Sequence, residues 1–151
     1  MQAPKLSAAL LIALLLCLPV QAADDQYGSA AKDDGLKPAR TQIAQKDWPG
    51  AIITLNAYTR ANPQDANGYN LLGYSYRQLQ RYNESLDAYQ RALTLDPKHR
   101  GAHEYIGEAY IALGRLDKAR EHLEALDKIC FLPCEEYRDL KRSYEAALRS
   151  K

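Results

Sequence analysis

The chain has 151 residues, 46% of them hydrophobic, and carries 11 tyrosines against one Trp and one Phe. That length suits one domain. Lys and Arg number 20 against 19 Asp and Glu, and Lys5 is the only charged residue in 1–22, so the rest is neutral. A neutral domain lacks the basic footprint that nucleic acid requires. Nor does any stretch interleave basic and aromatic residues as single strands demand.

The first segment reads as a secretory signal. Lys5 supplies a positive start, residues 8–18 are apolar without interruption, and Pro19 breaks the run. Val20-Gln21-Ala22 is a small-x-small cleavage site. The apolar run is short for a bilayer span, which leaves an uncleaved anchor as the alternative. Cys17 offers lipidation as another, but Leu16 before it is not small, so Ala22 is the better site. Cleavage there makes the protein periplasmic or secreted, with no stable membrane insertion afterwards. Residues 23–35 are polar and acidic and cannot bury apolar area, so they read as a mobile leader.

From residue 36 the pattern becomes helical. The segment 36–65 holds a first helix near Pro38 to Lys46. A second is built on Trp48, Ala51, Leu55 and Tyr58, with Pro49 in its first turn. In 66–99, Tyr69, Leu72, Gly73, Tyr76 and Leu79 mark one amphipathic helix, and Tyr82, Ser85, Tyr89 and Ala92 a second that Asp96-Pro97 ends. Thirty-four residues on, the pattern returns over 100–133: Ile106-Gly107 for Leu72-Gly73, Tyr110 for Tyr76, Leu123 for Tyr89. A period of 34 with helix–turn–helix content signals stacked helical repeats. Gly73 and Gly107 on first helices, with Ser85 and Ala119 on second helices, fall where helices cross closely. The last helix, from about Cys134 to Arg149, keeps Tyr137, Leu140, Tyr144 and Ala147 in register and reads as a solvating cap through 151.

These residues resemble the tetratricopeptide repeat (TPR). The first copy does so through Tyr69, Leu72, Gly73, Tyr76, Ser85, Tyr89, Ala92 and Pro97. The second does so through His103, Ile106, Gly107, Tyr110, Gly114, Ala119 and Leu123. The stretch 99–110 with Cys130 and Cys134-Glu135-Glu136-Tyr137 is also similar to small exported proteobacterial proteins of this type. The resemblance implies an all-α, right-handed solenoid of antiparallel helix pairs, about three units plus a capping helix. It also implies a non-enzymatic adaptor whose first helices line a concave groove for a peptide or helix of another protein. By register the groove positions are Arg40 and Ile43; Asn67, Asn70, Tyr74, Arg77 and Gln78; and Glu104, Glu108 and Ile111. Some family members clamp a carboxylate with Lys and Arg; Glu104 and Glu108 argue against that specificity here. No phosphate-binding loop, G-x-S-x-G elbow or H-E-x-x-H is present, and no cofactor is expected.

Three constellations admit a sharper chemistry. Cys130 and Cys134 are the thiols left after signal removal, and an even count in an exported chain reads as a disulfide. The competing reading is a redox pair, for which the C-x-x-C spacing is missing. His99 and His103, four apart above Glu104 and Glu108, could hold a cation. Two imidazoles leave a zinc site incomplete, so His103 reads as a packing residue and His122 as a surface one. Metal or thiol-redox chemistry, or a structural role in an envelope complex, are the alternatives to an adaptor. Most tyrosines fall at core spacing, with Tyr74 the exception. Finally, steps of 34 place Glu104 opposite Arg138 and Glu108 opposite Arg142, an expected ion-pair ladder docking the cap.

Overall fold

A computed structural model describes residues 35–150; the signal, Cys17 and all of the leader but Gly35 lie outside the described residues. The described chain is seven helices: α1 (Lys37–Ala44), α2 (Trp48–Ala61), α3 (Ala66–Gln78), α4 (Tyr82–Leu95), α5 (Arg100–Ala112), α6 (Leu116–Ile129) and α7 (Glu135–Arg149). The starts and ends of α2, α4 and α6 are each 34 apart, as are those of α3 and α5. Consecutive helices pack as hairpins, and α5 also packs along α7. None of the described helices is long and apolar enough to cross a membrane.

The turns carry the same period. Lys46, Gln80 and Gly114, at the hairpin bends, all have positive φ, at 60°, 58° and 71°. The left-handed conformation reverses the chain within three residues, and only the third copy uses the residue that adopts it freely. Side chains cap three helix starts, that of α2 after its hairpin bend and those of α3 and α5 between repeats. Asp47 accepts from the Gly50 amide at 3.0 Å, and Asp65 from the Asn67 amide at 2.9 Å. His99 Nδ1 accepts from the Ala102 amide at 3.1 Å.

Packing follows the small residues. Ala51, Ser85 and Ala119 occupy the same place in successive second helices, and all are buried. A Cβ on Gly73 would lie 2.6 Å from the Tyr89 ring, which is itself fully buried. A Cβ on Gly107 would lie 2.5 Å from Leu140 of α7, also fully buried. Neither neighbour can withdraw, so these two glycines set how closely the helices approach. Gly35 is not part of a free leader: Leu36 beside it is buried, and a Cβ on Gly35 would meet Tyr58 at 2.8 Å. Apolar burial against the end of α2 holds Gly35 and Leu36 to the helices.

Candidate functional site

The first helices α3, α5 and α7 share a surface that the core does not consume. Its aromatic part starts on α2, where Trp48 meets Tyr74 edge-on at 5.9 Å between ring centroids. Tyr74 lies 5.2 Å from Tyr105, and Tyr105 lies 6.0 Å from the buried Tyr89. The Arg77 guanidinium sits over both exposed-side rings, 5.6 Å from Tyr74 and 5.5 Å from Tyr105. A cation over a ring face is attracted by the ring quadrupole, by about 0.5–1 kcal/mol where exposed. Arg77 Nε is nonetheless buried without a hydrogen-bond partner.

Beside the rings is a cavity of about 290 Å³ lined by Asn70 of α3, Glu104 and Tyr105 of α5, and Glu135, Glu136 and Asp139 at the start of α7. Asn70 is 8% exposed and its Oδ1 has no hydrogen-bond partner. Leaving a buried acceptor unmet costs about 1–3 kcal/mol. Burial pushes the Glu104 carboxyl up to about 7, helped by the nearby charges of Asp139, Glu108 and Glu136 and opposed by Arg77. Burial likewise raises the Tyr105 hydroxyl to about 12, with Glu104 adding to it.

The expected ladder is absent. Arg142 bonds Asp139 of its own helix at 2.8 Å, Arg138 is exposed, and Glu104 faces acids. The reason is a lateral offset. Across stacked first helices, Tyr74 meets Tyr105, Asn67 meets His99 (3.2 Å), and a side chain on Gly107 would meet Leu140. These are steps of 31, 32 and 33, not 34, because side chains lean along the helix rather than straight across. Glu104 therefore meets the first turn of α7, where Glu135 and Glu136 stand.

The other groove positions scatter. Asn70 and Glu104 share the cavity, and Tyr74 and Arg77 form the ring stack. Glu108 reaches the site through its charge on Glu104. Asn67 is tied to His99 Nε2. Ile43 packs against the core cluster of Leu36, Ala39 and Leu55 instead of lining open surface. Gln78 and Ile111 are half-buried and Arg40 is exposed, and none of them lines the cavity. Tyr105 and Trp48 were not among the expected positions. A step of 31 from Tyr74 would have found Tyr105.

The histidines also rearrange. His99 is the α5 cap rather than half of a pair with His103. His103 is buried, and its Nε2 lies 3.1 Å from the Pro97 carbonyl, which can only accept. Its Nδ1, 3.0 Å from His122 Nδ1, is then the acceptor, and His122 donates. His122 is thus no plain surface residue; its ring also stacks on Tyr110 at 5.9 Å. Burial, then the neighbouring His103, lowers His122 to about 4. The Cys130 and Cys134 sulfurs lie 2.12 Å apart, with Cα atoms 5.8 Å apart.

Residues 70–130 match the tetratricopeptide repeat family. The described helices form a tetratricopeptide-repeat solenoid. The TPR2B domain of yeast Sti1 superposes with a TM-score of 0.71 at 22% identity, covering 78% of this chain and 95% of that one. The type III secretion chaperone SycD of Yersinia enterocolitica gives 0.66 at 16% identity, covering 77% and 88%. Protein bimA of Emericella nidulans is 32% identical over 85 residues, 56% of this chain; the chain spans about a tenth of that protein's length.

Proposed function

We propose that the protein is an exported adaptor that holds a segment of another protein across its first-helix face. The observation that carries this is the surface of Trp48, Tyr74 and Tyr105 with Arg77 laid over it. Aromatic and arginine side chains concentrated on one face are the composition of a binding hot spot. The related folds support it: the Sti1 domain is in a pHsp70 complex, and SycD is in complex with a peptide of the translocator YopD. Export is supported by the sequence of residues 1–22. An oxidising compartment would keep Cys130 and Cys134 joined, so alkylation without reductant leaves both unlabelled; labelling of both contradicts it.

Crosslinking in cells identifies the partner, and titration calorimetry with the crosslinked segment then tests the face. Tyr74→Ala with Arg77→Ala weakens binding tenfold or more while the thermal midpoint stays within a few degrees, because neither residue belongs to the buried core. Unchanged affinity would contradict the assignment.

A further inference from the structure

The cavity beside the ring stack has a chemistry of its own. Four carboxylates line it, and two already have partners: Glu136 meets Arg100 at 3.5 Å and Asp139 meets Arg142 at 2.8 Å. Among the described residues, Glu104 and Glu135 enter no salt bridge. Asn70 supplies an independent observation. It is 8% exposed, lines the same cavity, and its Oδ1 lacks a donor. The site thus asks for hydrogen-bond donors and positive charge together.

We propose that this cavity is a subsite for a lysine ammonium or arginine guanidinium presented by the bound segment, with Glu104 as its ion partner and Asn70 Oδ1 as an acceptor. This rests on the adaptor reading given above. An anion is excluded by the acidic lining, so the site is the inverse of a carboxylate clamp. A neutral hydroxyl would satisfy Asn70 and leave the carboxylates unmet. A bare metal ion fits less well, because among the described residues no three carboxylate, imidazole or thiolate groups converge as ligands. The position of Tyr105 on the cavity wall adds an aromatic face for the stem of a long cationic side chain. The raised Glu104 carboxyl agrees: burial first, then the charges of Asp139, Glu108 and Glu136, disfavour its ionised form, Arg77 only partly offsets them, and an incoming cation favours it.

The test needs no partner, so it is separable from the adaptor reading. The full chain, labelled with 15N, is titrated at constant ionic strength with Nα-acetyl-lysine methylamide, Nα-acetyl-arginine methylamide and the glutamine analogue. The two cationic probes should give saturable shifts centred on Gly101, Tyr105 and the Asn70 side-chain amide, and the glutamine probe should not. Glu104→Gln and Asn70→Ala should each weaken the response at least fivefold, whereas Glu121→Gln, on the far side of α6, should leave it unchanged. Equal shifts from the glutamine probe, or no saturable shift from any probe, would overturn the proposal. So would calcium producing the same shifts and excluding the lysine probe, which would make the cavity a metal site. If the probes bind as expected but Tyr74→Ala with Arg77→Ala retains full affinity for the partner, the ring-stack assignment of the adaptor reading fails and the cation subsite stands.

Discussion

Two residues show how closely the array is fitted. Gly107 has no room for a side chain because Leu140 of the cap occupies the space a Cβ would take. Gly107→Leu should therefore destabilise the domain by about 1–3 kcal/mol, and Leu140→Ala in the same chain should restore part of the loss, as read by urea unfolding. A double variant no better than the single would show that the clash lies elsewhere. Gly35→Leu meets the Tyr58 ring, but at an exposed position outside the helices, and should cost less. At His122 the effect is one of pH. Its folded pKa of about 4 lies below the ordinary 6.5. Between these values the unfolded chain binds the extra proton, so stability falls as pH drops from about 6.5 toward 4. His103, Tyr110, Glu121 and Lys118 face it. His122→Gln should remove that part of the slope, and parallel stability–pH curves for the two proteins would refute it. The sequence showed Gly107 because a glycine repeats at a fixed interval. It did not show the His103–His122 bond, because the residues lie 19 apart on different helices and have no pattern in common.

At the scale of the elements, the bends set the period. Gln80 holds φ 58° without being glycine, and a non-glycine residue in that conformation costs about 1–2 kcal/mol. Gln80→Gly should raise the thermal midpoint, with a net gain below about 1 kcal/mol because glycine also loosens the unfolded chain. A lowered midpoint would mean that the Gln80 side chain contributes more than its backbone costs. Helix boundaries were legible because Pro, Asp or Gly punctuates the bends other than Leu79-Gln80-Arg81, and the described helices fall within a few residues of expectation. Lateral neighbours were not. They depend on how α3, α5 and α7 rotate against one another, and a sequence period gives the height of a residue in the stack but not the direction of its side chain. That is why Arg138 and Arg142 do not meet Glu104 and Glu108, and why Tyr105 went unseen.

At the scale of the whole molecule, core and surface divide the work. Leu55, Tyr89, Leu126 and Leu140 are fully buried and hold successive helix pairs together. The first-helix face keeps its rings, Arg77 and the acidic cavity available. The central claim is that partners meet this face and not the outer helices. The direct measurement is site-specific photo-crosslinking in the native host. A photoreactive phenylalanine is placed at Gln78, Glu108 or Ile111 on the first helices, and at Ile53 or Glu124 on the exposed sides of α2 and α6. The account predicts one common adduct from the first-helix positions and none from Ile53 or Glu124. An adduct formed only from the outer positions would contradict it.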